Sequence, residues 1–173
     1  MRHAISVLLG NEVGALTRVT GMFSSRGYNI DSLNVAATDN PMISRVTLVI
    51  SGSDEVIAKL NTQLAKLVDV VNIHDMTIGD HFERELAIIK LKLDDGNLPA
   101  AKALAKKYDA EVLDDSLLSY TLQLTGRVAE IDNFISDAAE VGELSAVARS
   151  GSVAVSQGEV TLSSFDRHYR LSG

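Results

Sequence analysis

The chain has 173 residues, a formal net charge of −7, 46% hydrophobic residues, 5% aromatics and no cysteine. The acidic balance and the scarcity of aromatics argue against a nucleic-acid module, which needs a basic face and stacking rings. Without cysteine there are no disulfides, no thiolate chemistry and no cysteine metal sites, which fits a reducing compartment.

The length suits one or two small domains. The opening apolar run over residues 1–9 is short and is ended by Asn11-Glu12, with no small-residue cleavage site close behind. It reads as a first strand rather than a signal peptide. No apolar run approaches the ~18 residues of a transmembrane helix. The expectation is a soluble cytoplasmic protein with neither a nucleic-acid nor a membrane partner.

Ile5, Val7 and Leu9 share one face of a strand over 4–9. A Gly/Asn turn leads into a helix over 14–25, where Leu16, Val19 and Phe23 fall on one stripe. Gly27 is expected to end it as a left-handed cap. Ile30, Leu33, Val35 and Ala37 mark a strand over 30–37, and Asp39-Asn40-Pro41 a turn. Val46, Leu48 and Ile50 point inward from a strand over 44–51. Ser53 caps a helix lined by Val56, Leu60, Leu64 and Leu67, and residues 68–77 return as a strand.

Residues 79–85, with the charged run Glu83-Arg84-Glu85, break this pattern and read as a linker. The pattern then repeats. Ala87, Ile89, Leu91 and Leu93 mark a strand over 86–93, Asn97 caps a helix with Pro99 in its first turn, and residues 110–113 form a short strand. Leu118, Tyr120, Leu122 and Leu124 alternate strictly with polar residues, the signature of a half-buried antiparallel strand. Val128, Ile131, Phe134 and Ala138 mark a second helix, and 144–149 and 152–156 close the sheet. Two β-α-β-β-α-β runs predict an α+β protein of two tandem ferredoxin-like domains, each an antiparallel four-stranded sheet with helices on one face. The expected boundaries are 1–78, a linker over 79–85, 86–158, and a flexible tail over 159–173.

Nothing in the sequence supplies a nucleophile, a base or a metal cage. His3, His74, His81 and His168 lack ligand spacing and are expected far apart. The turn from Asn11 to Gly14 is the informative feature. A helix start leaves about four N–H groups without partners and carries roughly half a positive charge, a place for a small carboxylate. Glycines in a tight connection would look the same. Asn29 favours the binding reading. It lies at the foot of the second strand, near the first turn or near its copy in a partner chain. Asn11 and Asn29 offer donors and acceptors together, which suits a zwitterionic amino acid.

The chain resembles the small regulatory subunits of acetolactate synthase over about residues 2–158. The resemblance rests on Ser6-Val7-Leu8-Leu9 through Leu16, Gly27-Tyr28-Asn29-Ile30, Ser44-Arg45-Val46-Thr47, Leu67-Val68-Asp69-Val70, Glu83-Arg84-Glu85-Leu86 and Ala148-Arg149-Ser150-Gly151. It implies an N-terminal ACT domain, an amino-acid-sensing module, that dimerises and binds valine or another branched-chain amino acid. Asn11 and the amides of Gly14, Ala15 and Leu16 would hold the effector from one chain, and Asn29 and Ile30 from the other. It implies no catalytic residue and no cofactor on this chain. The implied partner is a large catalytic subunit carrying thiamine diphosphate, Mg²⁺ and FAD. Gly10 and Val13 depart from the acidic residue and the proline or serine frequent in relatives. Two rival readings are a free-standing ACT sensor and a small enzyme of acylphosphatase type. The latter needs an anion-binding arginine in the first turn, and 10–14 contains none.

Overall fold

A computed structural model of the chain describes residues 1–94, 96–159 and 161–162. It divides into two compact units. The first comprises Met1–Phe82 with the described residues from Ser152 onward, and the second Glu83–Gly151.

The first unit runs β1 (Arg2–Gly10), α1 (Ala15–Ser25), β2 (Ser32–Ala37), β3 (Ile43–Ser51), α2 (Asp54–Leu64) and β4 (Val70–Asp75). The sheet order is β2-β3-β1-β4, antiparallel at every pairing. Ile5, Val7 and Leu9 on β1 face Val19 and Phe23 on α1 and Leu60 and Leu64 on α2 in one core. The Ser53 hydroxyl accepts the Val56 N–H, the N-cap expected from sequence. Gly27 adopts φ +70° and ends α1 in a Schellman arrangement. Its N–H donates to Ser24 and that of Tyr28 to Phe23. The cap aims Tyr28 and Ile30 at the core edge, where both pack.

The outer face of this sheet is partly covered by the chain's own later residues. Ala154, on β9 (Val153–Ser156), is buried with Ala4 and Met76. The Ser152 N–H donates to the Ser32 hydroxyl at 3.1 Å, and Arg45 reaches the Leu162 carbonyl at 3.5 Å.

Two expected boundaries shift. Residues 81–85 of the expected linker over 79–85 are instead the beginning of a strand, β5 (His81–Lys92). Residues 152–158, expected in the second domain, belong with the first unit. The second unit continues through α3 (Leu98–Tyr108), β6 (Glu111–Asp114), β7 (Ser119–Gly126), α4 (Val128–Val141) and β8 (Leu144–Arg149). Within this unit the strand order is β6-β7-β5-β8. Ala87, Ile89, Leu91, Leu122 and Leu124 meet Leu104, Ile131 and Phe134 in the second core. Asn97 sits at the N-cap of α3 but its side chain does not cap the helix. Its Oδ1 accepts the Asp94 N–H and its Nδ2 donates to the Lys92 carbonyl.

The charged run that resembled a linker is an anchor. Glu85 is buried, 5% exposed, and accepts two hydrogen bonds from Arg149, at 2.8 and 2.7 Å. The third guanidinium nitrogen donates to Asp132 at 2.8 Å. Hydrogen bonding to Glu85 holds the Arg149 guanidinium well above its ordinary value. Beside this pair, Leu86 donates to the Ser150 hydroxyl and Ser150 donates to the Leu86 carbonyl. The segments around 83–86 and 148–151 are therefore one contact.

Among the described residues, no helix is long and apolar enough to cross a membrane. The tail expected over 159–173 lies largely outside the described residues.

Arg149→Ala leaves the Glu85 carboxylate buried without its cation, a loss of roughly 3 kcal/mol. In urea unfolding followed residue by residue by NMR, the second unit should melt at lower denaturant. An unchanged midpoint in the second unit would show that water replaces the arginine at no cost.

Candidate functional site

Gly14 is the N-cap of α1 and sits in the left-handed region, φ +84° and ψ −7°. A residue with a Cβ pays about 1–2 kcal/mol there. A Cβ would also lie 3.1 Å from Arg18 Nη1. The first α-helical bond runs from the Arg18 N–H to the Gly14 carbonyl, 3.0 Å. The Ala15 N–H is already taken by the Glu12 carbonyl at 3.1 Å, and Ala15 is buried. Of the three amides expected to face a ligand, those of Gly14 and Leu16 precede the first α-helical bond, while that of Ala15 closes the turn.

Asn11 is exposed, and its Nδ2 donates to the Pro41 carbonyl at 2.9 Å. Its own N–H donates to the Met42 carbonyl. These bonds join the β1–α1 turn to the β2–β3 turn and hold the side chain at the top of the sheet. Asn29 is exposed too, and its Nδ2 donates to Asp31 at 3.0 Å. Asp31 in turn accepts from the Ser51 hydroxyl at 2.7 Å.

Within one chain these two asparagines lie at opposite ends of the sheet. Ser32, three residues after Asn29, is level with Val49, and Val49 with Ala4 near the start of β1. Asn11 follows Gly10 at the other end of that strand. The separation along the strand is about 20 Å at about 3.3 Å per residue. Of the two placements open from sequence, a single chain rules out Asn29 beside its own first turn.

The unit also leaves apolar surface open near these residues. Leu33 and Val35 pair across the sheet with Leu48 and Val46, which are fully buried on the helix-facing side. Leu33 and Val35 nonetheless remain 36% and 39% exposed on β2, an edge strand. Val13, Leu16 and Met42 are exposed around the turn. Ile30 is half-buried against the core.

Two residues at this turn were not singled out from sequence. Arg18 Nε and Nη2 donate to the two oxygens of the Asp69 carboxylate, the latter at 2.8 Å. The Asp69 carbonyl accepts the Gly10 N–H, also at 2.8 Å. Hydrogen bonding across the pair holds the Arg18 guanidinium above its ordinary value and the Asp69 carboxyl below the usual carboxylate range. Arg18 stands one helical turn after Gly14, a spacing visible in the sequence. Asp69 is brought in by the fold and has no local signal.

His74 and His81, expected far apart, instead line one open cavity of about 360 Å³ together with Asp80, Ser156 and Gln157. Buried His3 lies between the carboxylates of Asp54 and Asp75, at 3.3 and 3.5 Å. Among the described residues, no group of three or more His, Cys, Asp or Glu is arranged to hold a metal ion. His168 lies outside the described residues.

Comparison with known proteins accounts for both units. The family profile of the AHAS small subunit-like ACT domain matches residues 5–72, and that of the small subunit of acetolactate synthase matches residues 84–158. The acetolactate synthase isozyme 3 small subunit of Escherichia coli is 40% identical over 159 residues, 92% of this chain and 98% of that protein. The acetolactate synthase small subunit of Haemophilus influenzae is 41% identical over the same length and shares. The crystal structure of the acetolactate synthase small subunit from Thermotoga maritima matches with a TM-score of 0.83 at 28% identity, covering 92% of this chain and 99% of that one. The chain belongs to the acetolactate synthase small-subunit family, the regulatory rather than catalytic chains, and its first unit is an ACT domain.

Proposed function

We propose that this chain activates a large catalytic acetolactate synthase subunit in the cytoplasm and makes it sensitive to valine or a related branched-chain amino acid. It does so as a homodimer of ACT units, with the effector held between two copies. Thiamine diphosphate, Mg²⁺ and FAD belong to the large subunit in this reading.

The observation that supports a shared site is the placement of Asn11 and Asn29 at opposite ends of the sheet. A second copy added antiparallel along β2 about a two-fold axis sets the Asn11 end of one chain beside the Asn29 end of the other. The same pairing covers Leu33 and Val35 and the open backbone edge of β2. The effector carboxylate then faces the amides of Gly14 and Leu16, and the asparagines take the remaining polar groups.

Added to its cognate large subunit, the chain should raise the rate of acetolactate formation from pyruvate and make it fall with added valine. Pyruvate condensation by the purified chain alone would defeat the reading. No stimulation of the large subunit would instead favour the free-standing sensor.

Asn11→Ala and Asn29→Ala should each remove about 1–3 kcal/mol of effector binding, the range for hydrogen bonds to charged groups. Calorimetric titration with valine, leucine and isoleucine measures this directly. Mixing the two variants should restore some intact sites in heterodimers. A mixture that binds no better than either variant would defeat the cross-chain site.

Gly14→Asp should raise the valine concentration for half-inhibition of the reconstituted enzyme by about tenfold or more, the loss of roughly one charge-assisted contact. Aspartate tolerates the left-handed region better than most residues. Its carboxylate falls beside Arg18, where the effector's carboxylate approaches the helix start. A variant as valine-sensitive as wild type removes Gly14 from the site.

A further inference from the structure

The β1–α1 turn is held from a third place in the chain. Asp69 lies just before β4, far from the turn in sequence. Its carbonyl accepts the N–H of Gly10, the last residue of β1. Its carboxylate grips Arg18, one turn into α1, through two guanidinium nitrogens. One residue therefore ties down both arms of the turn that carries Asn11 and Gly14. Arg18 contributes again through Nη1, which takes no part in the Asp69 pair and lies over the space a Gly14 side chain would fill.

The pair has the geometry of a locator rather than of a core contact. The Arg18 side chain is 47% exposed and that of Asp69 9% exposed. The arginine side of the pair is open to water, while the carboxylate is nearly as enclosed as that of Glu85, so the pair carries some stability as well as position. Its two parallel N–H···O bonds fix direction as well as distance, which a lysine's point charge does not. What they fix is the height of the first turn of α1 above the end of β1.

We propose that Arg18 and Asp69 are the positioning pair of the effector site, setting the β1–α1 turn so that Asn11 and the Gly14 and Leu16 amides converge on one ligand. The proposal rests on the effector site described above and adds a part that neither the family membership nor the asparagines supply. Loss of the pair loosens the turn and weakens effector binding, while the core made by Ile5, Val7, Val19 and Phe23 is untouched.

The test is a double-mutant cycle on the full-length chain, read by calorimetric titration with valine. Arg18→Gln and Asp69→Asn should each raise the valine Kd about tenfold, and the double variant by about the same factor, because the second change removes a contact already lost. Arg18→Lys should recover only part of the affinity. Affinities are compared well below the melting temperature of each variant. A double variant about a hundredfold weaker would show two independent residues and overturn the pair. Unchanged affinity in both single variants would overturn it as well. Asn11→Ala is run beside them. If it weakens binding and the Arg18 and Asp69 variants do not, the pair fails and the site stands. If it also has no effect, the site itself is misplaced. A second readout does not depend on any ligand. Amide hydrogen exchange at Gly10 should quicken about tenfold in Arg18→Gln, while exchange at Val7 and Val46 stays the same. Unchanged exchange at Gly10 would likewise overturn the proposal.

Discussion

The proposed regulatory site depends on an unfinished sheet. In the order β2-β3-β1-β4, β2 is an edge strand, and Leu33 and Val35 stand on the helix-facing side at that edge. Their cross-strand partners Leu48 and Val46 are fully buried, yet they themselves keep more than a third of their surface in water. An edge of this kind offers backbone hydrogen bonds and apolar area together, which is what a second copy of the same strand can use. In the proposed dimer, antiparallel pairing brings unlike ends of the two sheets together. A residue at the top of β1 and one at the foot of β2 then become neighbours. The need to cover β2 and the need to bring Asn11 to Asn29 are met by a single symmetry operation.

The sequence revealed the elements more readily than their allegiances. Period and capping located all four helices and most strands, because those signals are local: Ser53 before α2, Gly27 after α1, the strict alternation of β7. The misreading of 79–85 has a specific cause. Glu83, Arg84 and Glu85 look like a solvated linker because charge is normally solvated. Glu85 is in fact a buried strand residue, and its partner Arg149 is 64 residues away. No window short enough to show a period can contain both. The allegiance of 152–158 was hidden for a similar reason. Four residues of β9 carry no readable period, and chain order assigned them to the second domain although they cover the first.

At the site, residue type was legible and direction was not. A glycine before a helix announces a tight connection, but nothing local says whether the following N–H groups face outward. The structure separates them, since the Ala15 N–H closes the turn onto Glu12. Nor could the sequence say that Asn11 would be braced by the Pro41 carbonyl or Asn29 by Asp31. Each brace uses one N–H of the amide nitrogen and leaves the second N–H and the side-chain oxygen. In an exposed side chain of high rotamer freedom, such a brace lowers the entropy lost when a ligand is bound.

A sensor assembled from two copies has a thermodynamic consequence for its partner. Effector binding can alter the synthase only if the effector's affinity differs between the active and inactive complexes. That difference is reciprocal, so the large subunit must change effector affinity by the same factor. In the proposed dimer the site lies across the join between two chains. A shift of one ACT unit against the other therefore changes the gap between Asn11 and Asn29 directly. The fold within each unit resists such a shift, because its cores are closed and its turns are tied at several points. In the proposed dimer the joint between copies would be the softer coordinate, resting on one strand edge and a few half-exposed side chains. An effector held across that joint, as proposed, would be read by the least rigid part of the assembly, and the same part would be the one that reports to the catalytic subunit.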